Sequence, residues 1–152
     1  MAITNFNAQV IRDGYRNYVI RLTGAAVVGT DSDQPPTLLV NVATLNPPCQ
    51  VLRIDRVKYS LPHGSPLDVQ LYWEATPNEL FWGTSGGDGE DFWNFGGIVN
   101  NLPAGFTGNL LWGTSGLTST GVVSALSNIV AGTVLTFAII VECVKLQPKY
   151  PH

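Results

Sequence analysis

The densest group of carboxylates in the sequence lies in the glycine-rich stretch GGDGED, residues 86–91. Its residue order matches the start of the Gly-Gly-x-Gly-x-Asp repeat, in which the stacked turns of a β-helix bind calcium through carboxylate and carbonyl oxygens. One copy supplies too few ligands for that arrangement, and the spacing is not that of an EF-hand loop. We therefore expect a solvated acidic loop, with a weak cation site formed by Asp88, Glu90 and Asp91 as the alternative.

Residues able to act as a general acid or base are sparse. The two histidines are His63, in the turn PHGSP, and His152, the last residue, and neither belongs to a catalytic motif. Glu74 and Glu79 could be considered as a glycosidase pair, but we expect Glu74 to face solvent on a strand. The stretch GTSGGDGED carries acidic residues where a phosphate-binding loop needs lysine. We predict no enzymatic activity, no catalytic residues and no cofactor.

The two cysteines, Cys49 and Cys143, are far apart in the sequence. Their separation fits neither a zinc site nor a redox pair, so we predict no bound metal. No secretory signal precedes them, which favours synthesis in a reducing cytoplasm and buried, reduced thiols. A disulfide stays open as an alternative, because pairing of the first and last core strands could bring the two residues together.

The pentapeptide Trp-Gly-Thr-Ser-Gly occurs twice, at 82–86 and 112–116, thirty residues apart. A repeat array would need at least three copies. The sequences around the two copies share little beyond the pentapeptide and a leucine that precedes it. We interpret the doublet as two strands that each end in a tryptophan, followed by a flexible Gly-Thr-Ser-Gly turn.

Strand patterns and turn signals alternate along the whole chain. In LDVQLYWEA, residues 67–75, apolar and polar residues alternate with period two, and a helical period is nowhere clear. In residues 50–61 the apolar phase changes, which predicts a bulge near Asp55 and Arg56. We predict one all-β domain over residues 1–152, an antiparallel, jelly-roll-like β-sandwich of about eight strands. The expected segments are 6–12, 17–23, 37–43, 50–61, 67–75, 78–82, 91–95, 107–112 and 133–146.

Charge and hydropathy bound the range of partners. The net charge is −3, charged residues make up 12% of the chain, and the eight lysines and arginines form no basic cluster. A nucleic-acid surface requires such a cluster, so we predict no nucleic-acid partner. The most apolar run, residues 129–141, is too short to cross a bilayer and contains a glycine and two threonines. We read it as a buried strand and predict no membrane partner.

The predicted last strand is apolar on both of its faces. One face carries the core residues, and Ala138 and Ile140 lie on the other. A strand covered on both faces is either central or packed against another subunit. Tyr72, on the polar face of its strand, and one of Trp93 or Phe92 are the aromatic residues that we expect to be exposed, and tyrosine and tryptophan are enriched at interfaces. The predicted interface residues are thus Tyr72, Trp93, Ala138 and Ile140.

Four stretches of strand and turn carry a resemblance to a known group of proteins. They are PPCQVLRIDRVKYSL (47–61), VQLYWEATPNELFW (69–82), DFWNFGGIVNNLPAGFTGNLLWGTSG (91–116) and TVLTFAIIVECVKL (133–146). In these stretches the chain resembles capsid cement, or decoration, proteins of tailed bacteriophages. The resemblance covers about two thirds of the chain and implies a jelly-roll-like sandwich, homo-oligomers seated on the capsid lattice, and reinforcement of the head without catalysis.

From these observations we expect a structural virion protein. It would be made in the host cytoplasm, bind the major capsid protein at the outer capsid surface, and stabilise the head by bridging capsid subunits. We expect a homo-oligomer, a trimer in the first instance. Residues 1–16 could form an extended N-terminal arm. The alternative is a carbohydrate-binding or host-binding module of a virion appendage, with an exposed tyrosine or tryptophan as the sugar platform.

Overall fold

A computed structural model describes residues 3–62, 65, 67–84, 89–92, 98, 104–117 and 132–146. The described part contains nine strands and one short 3-10 helix, Val42–Thr44. The strands are β1 (Asn5–Asp13), β2 (Asn17–Val27), β3 (Thr37–Val40), β4 (Val51–Ser60), β5 (Asp68–Trp73), β6 (Glu79–Gly83), β7 (Gly89–Phe92), β8 (Leu110–Ser115) and β9 (Val134–Leu146). Each of the nine predicted segments overlaps one of these strands. A helix with the length and hydropathy needed to span a membrane does not occur among the described residues.

The strands form two antiparallel sheets. The five-stranded sheet has the order β1-β2-β9-β4-β7, and the four-stranded sheet has the order β3-β8-β5-β6. The order β2-β9-β4-β7 against β3-β8-β5-β6 is that of a jelly roll, built from two interlocked Greek keys. The prediction of an all-β, jelly-roll-like sandwich is therefore confirmed, and β1 is a ninth strand added at one edge.

The core lies between the sheets, and the strands in which apolar and polar residues alternate point their apolar side chains toward it. In β5, Val69, Leu71 and Trp73 are buried, while the residues between them are half-buried on the outer face. Trp73 stacks on Phe81 with ring centroids 4.3 Å apart. Each fully buried large apolar side chain stabilises the fold by roughly 1.5–3 kcal/mol.

The bulge predicted in β4 is present. The pairing of β4 with β9 shifts register between Ile54 and Arg56. Both Ile54 and Val57 are fully buried, although a regular strand would point residues three apart to opposite faces. The extra residue lets both apolar phases of the segment face the core.

The N-terminal segment forms an edge strand. Residues 5–13 of the predicted arm constitute β1, which pairs with β2 along one side. All nine residues of β1 are exposed. Phe6 reaches over the core edge, with its ring centroid 4.9 Å from that of Trp112.

The two cysteines are buried free thiols in the described structure. Burial raises the pKa of the Cys143 thiol strongly and that of Cys49 as well. Desolvation disfavours the thiolate, which is the reactive form, so neither position is built for nucleophilic chemistry.

Candidate interaction surfaces

The predicted interface residues lie on opposite sides of the sandwich. Ala138 and Ile140 are half-buried on the outer face of the five-stranded sheet. Tyr72 is half-buried on the outer face of the four-stranded sheet, so it is less exposed than we expected. Trp93 lies outside the described residues. The structure therefore presents two separate surfaces.

On the five-stranded sheet, Ile140 occupies the centre of the outer face. Its neighbours across the two adjacent strands are Arg21 on β2 and Lys58 on β4. Ala138, two residues away on the same face, lies between Thr23 and Ser60 in the same manner. An open depression of about 280 Å³ is lined by these six residues together with Tyr59. The depression therefore has an apolar floor, formed by Ile140 and Ala138, with Arg21 on one side and Lys58 on the other.

The charges around this depression are unevenly paired. Arg21 donates a hydrogen bond of 2.7 Å to the neutral Oε1 of Gln9 and takes part in no ion pair among the described residues. Farther along the sheet, Arg56 lies 3.6 Å from Glu90 and 3.6 Å from Glu142. Within the described chain Lys58 takes part in no ion pair. The lining of the depression thus holds two cations and no carboxylate, in a chain whose net charge is −3. The carboxylate of Glu90 belongs to the residue that lies opposite Lys58 on β7.

On the four-stranded sheet, the sequence doublet acquires a structural meaning. Leu71 of β5 pairs with Trp82 of β6 on one side and with Trp112 of β8 on the other. Gln70 lies between Gly83 and Gly113 in the same register. The two copies therefore flank the same central strand at equivalent positions.

The predicted end of the strand that contains the second copy was wrong by several residues. The first copy does end a strand, since β6 stops at Gly83. In the second copy, however, β8 continues through Gly113 and Thr114 to Ser115, whereas we expected the strand to end at residue 112. Two neighbours explain the difference. Residues 113–115 pair with residues 68–70 of β5, and on the other side the Gln34 carbonyl accepts from the Thr114 N–H at 3.0 Å while the Gln34 N–H donates to Thr114 Oγ1 at 2.8 Å. These bonds hold the Gly-Thr-Ser segment extended along the sheet.

The paired glycines leave room for polar side chains to lie across the outer face. A Cβ at Gly83 would stand 3.1 Å from the Asp68 carboxylate, and one at Gly113 would stand 3.1 Å from Cε1 of Tyr72. Above this floor the Tyr72 hydroxyl donates to Gln70 Oε1 at 2.7 Å, and Gln70 Nε2 donates to Asp68 at 3.2 Å. Asp68, Gln70 and Tyr72 form one connected row, which we call the polar row.

The environment of the polar row changes the acidity of Tyr72. Burial raises the pKa of its phenol, and the negative charges of Asp68 and Asp33 raise it further. Tyr72 therefore stays a neutral hydrogen-bonding group. Leu38 and Leu80 flank the row as exposed apolar residues, at 51% and 52% exposure. Leu38 pairs with Leu111, and Leu80 pairs with Tyr72. Because Leu111 and Tyr72 pair with each other, the four residues form one line across the sheet.

The carboxylates of the acidic loop do not converge where they are described. Glu90 is directed to the outer face and lies near Arg56, while Asp91 accepts a 2.7 Å hydrogen bond from the buried indole N–H of Trp82. Successive residues of a strand point to opposite faces, which separates the two carboxylates. Asp88 lies outside the described residues. No group of three or more His, Cys, Asp or Glu side chains placed to hold a metal ion occurs in the part of the chain that the structure describes.

Among the remaining candidates for acid or base chemistry, Glu74 holds two parts of the chain together. Glu74 accepts hydrogen bonds from Thr107 Oγ1 at 2.6 Å and Asn109 Nδ2 at 3.0 Å. It therefore joins the end of β5 to the chain that enters β8. His63 and His152 lie outside the described residues.

Sequence reasoning missed Arg21 and Lys58 as residues that line the depression around Ile140. Both fall in predicted strands, at positions that alternate with core residues, so their outward direction could have been read from the pattern. Their position beside Ile140 depends on strand order and register, which the pattern does not encode.

Comparison with protein-family models, with curated protein sequences and with solved structures found no match to this chain.

Proposed function

We propose that the chain is a non-catalytic structural virion protein that binds the outer surface of a tailed-bacteriophage capsid and bridges capsid subunits. Its partners would be the major capsid protein and further copies of itself, and its location would be the capsid surface. The observation that carries the proposal is the depression around Ile140 and Ala138, with Arg21 and Lys58 beside it.

This depression suits an extended polypeptide segment with apolar and acidic residues. Ile140 is already half-buried, so a partner that covers it fully gains only part of the roughly 1.5–3 kcal/mol that complete burial of an isoleucine contributes. The two flanking cations favour an acidic partner and disfavour a basic one, which adds orientation and specificity. One such contact is weak by itself.

Repetition would make the contact effective. A capsid presents the same surface many times, and a bridging protein that engages two neighbouring subunits binds the second one at a high effective concentration. Weak single contacts would then add up to strong reinforcement of the shell. The jelly-roll scaffold is compatible with this role, although the same fold also serves other functions.

Co-sedimentation tests the proposal directly. The protein would be mixed with empty shells assembled from the major capsid protein of the same genome, and the bound fraction measured over a concentration series. We expect Ile140→Asp to weaken binding about tenfold or more, because it removes the apolar contact and introduces repulsion toward an acidic partner.

Val134→Asp is the matched control. Val134 lies on the same strand and the same outer face, and it is 52% exposed, but it does not line the depression. We expect this variant to sediment with shells as the wild type does. Failure of the wild-type protein to bind shells, or equal loss in both variants, would contradict the proposal.

A second candidate function is suggested by the polar row. Carboxylate, amide and phenol groups next to an aromatic ring are the groups with which proteins bind neutral sugars. On this alternative the chain would be a carbohydrate-binding or host-binding module of a virion appendage. A column of host surface polysaccharide tests this alternative. Retention of the wild type and of Ile140→Asp, loss of retention in Tyr72→Ala, and no binding to shells would favour the carbohydrate-binding function over the capsid role.

A further inference from the structure

The longest free sheet edge in the described structure belongs to β1. This strand has nine residues, while the other three edge strands, β3, β6 and β7, have four or five. Short edge strands, prolines and inward-pointing lysines are the common devices that prevent pairing between chains. Residues 5–10 of β1 contain neither a proline nor a charged residue.

No described element covers this edge. All nine residues of β1 are exposed, and the backbone hydrogen bonds described outside the strand ladders do not involve residues 5–13. The register shift between Val10 and Arg12 ends the regular part of the strand. Residues 5–10, whose register with β2 is unbroken, therefore offer a regular row of backbone donors and acceptors.

The side chains of this row are arranged symmetrically about Ala8. Phe6, Ala8 and Val10 share the core-facing side of the sheet, because their partners on β2 are Gly24, Leu22 and Ile20. Asn7 and Gln9 point to the opposite side. In an antiparallel pair of two β1 strands centred on Ala8, Phe6 of each copy lies opposite Val10 of the other, and Asn7 lies opposite Gln9.

We propose that β1 pairs with β1 of a second copy of this chain, antiparallel and centred on Ala8, so that the two five-stranded sheets become continuous. The pairing covers Val10, which is 52% exposed, and the exposed part of Phe6, which is 38% exposed. Apolar residues meet apolar residues and amides meet amides on the two faces. The same patch serves both copies, so the contact closes as a twofold dimer.

This arrangement differs from the trimer that we expected from the sequence. An isologous contact joins two copies and cannot by itself form a ring of three. The proposal is independent of shell binding, because β1 lies at the sheet edge whereas the depression around Ile140 lies on β9 and its neighbours. A failure of one proposal leaves the other standing.

Sedimentation velocity of the full chain over a concentration series tests the pairing. We expect a concentration-dependent species of twice the chain mass of 16.4 kDa. Ala8→Lys and Ala8→Glu each place like charges opposite one another at the twofold axis, and each should weaken the dimer about tenfold or more. An equimolar mixture of the two variants places a lysine opposite a glutamate and should restore the dimer.

A second pair of variants keeps the test decisive if the Ala8 variants do not fold. Val10 and Ile11 are adjacent and equally exposed, at 52% each, but Ile11 is the residue skipped at the register shift. Val10→Lys should weaken the dimer, whereas Ile11→Lys should leave it intact. A monomeric wild type, a trimer unaffected by the Ala8 variants, no recovery on mixing, or equal effects of the two Lys variants would overturn the proposal.

Discussion

The ion pair between Lys145 and Asp13 provides the sharpest test of the energetics of this fold. Lys145 is the second-to-last residue of β9, and its side chain is only 3% exposed. Its ammonium lies 2.6 Å from Asp13 Oδ1 and 2.9 Å from the carbonyl oxygen of Pro47. Asp13 also accepts from the backbone N–H of Asn46 at 2.9 Å. The pair therefore ties the hairpin of β1 and β2 to the loop before β4.

Asp13→Asn should destabilise the protein by about 2 kcal/mol at neutral pH. Removing one partner of a fully buried pair costs about 3–5 kcal/mol, because the other charge stays buried without compensation. The cost is lower here because the Asp13 side chain is 25% exposed and the Pro47 carbonyl remains as an acceptor. Urea unfolding of both proteins gives the difference in the free energy of unfolding.

The pH dependence of that difference has a defined sign. Burial acts to raise the pKa of Asp13, but hydrogen bonds from Lys145 and from the Asn46 N–H, with the charge of Lys145, outweigh it and lower the pKa below its ordinary value. The stabilisation is therefore complete above the unfolded-state pKa of about 3.9 and is lost as the pH falls through the lower folded-state pKa. The gap between wild type and Asp13→Asn should narrow in acid.

Asp55→Asn is the control for this prediction. Asp55 pairs with Arg53 at 2.7 Å, but both side chains are about one third exposed, so the expected loss is below about 1 kcal/mol. A loss in Asp13→Asn no larger than in Asp55→Asn, or a gap that stays constant into acid, would refute the reasoning.

Further predictions concern packing, alkaline stability and thiol reactivity. Gly113→Ala should lower the free energy of unfolding by about 1–3 kcal/mol, measured by urea denaturation, because its Cβ would stand 2.9 Å from the carbonyl oxygen of Gln34. Burial raises the pKa of Tyr18 from 10.0 to about 12, so its contribution to stability is complete below pH 10 and is lost as the pH rises toward 12; urea titrations across this range should show a shallower decline in Tyr18→Phe. Cys49 and Cys143 should resist a thiol reagent at neutral pH in the folded protein and react fully in urea, and reaction without denaturant would contradict their burial.

Much of the fold could be predicted because it depends on local patterns. Alternation in β5 and the phase change in β4 specify which residues face the core, and turn residues separate the strands. The end of β8 could not be predicted in this way. Gly113 and Thr114 have the composition of a turn, and they stay in a strand because they pair with Gln70 and Val69 of β5 and because Thr114 bonds Gln34, eighty residues earlier in the chain.

The candidate surfaces were predictable only in part. Ala138 and Ile140 were identified because a strand that is apolar on both faces needs a second cover. The cations beside Ile140 and the free edge at β1 depend on which strands are neighbours. That information is a property of the assembled sheets, because cross-strand partners are far apart in sequence and strand patterns do not encode pairing order.

The tripeptide Trp-Gly-Thr, at residues 82–84 and 112–114, lies on both sides of β5. The two neighbours of β5 therefore offer it nearly the same side chains. Composition around Leu71 therefore does little to distinguish β6 from β8 as a partner for either side. Chain connectivity distinguishes them, because β6 follows β5 after residues 74–78 whereas β8 begins at Leu110. Short loops close with less entropy loss than long ones. We thus expect the nearer copy to dock first during folding, and a circular permutant opened between β5 and β6 should test this by slowing assembly of the four-stranded sheet.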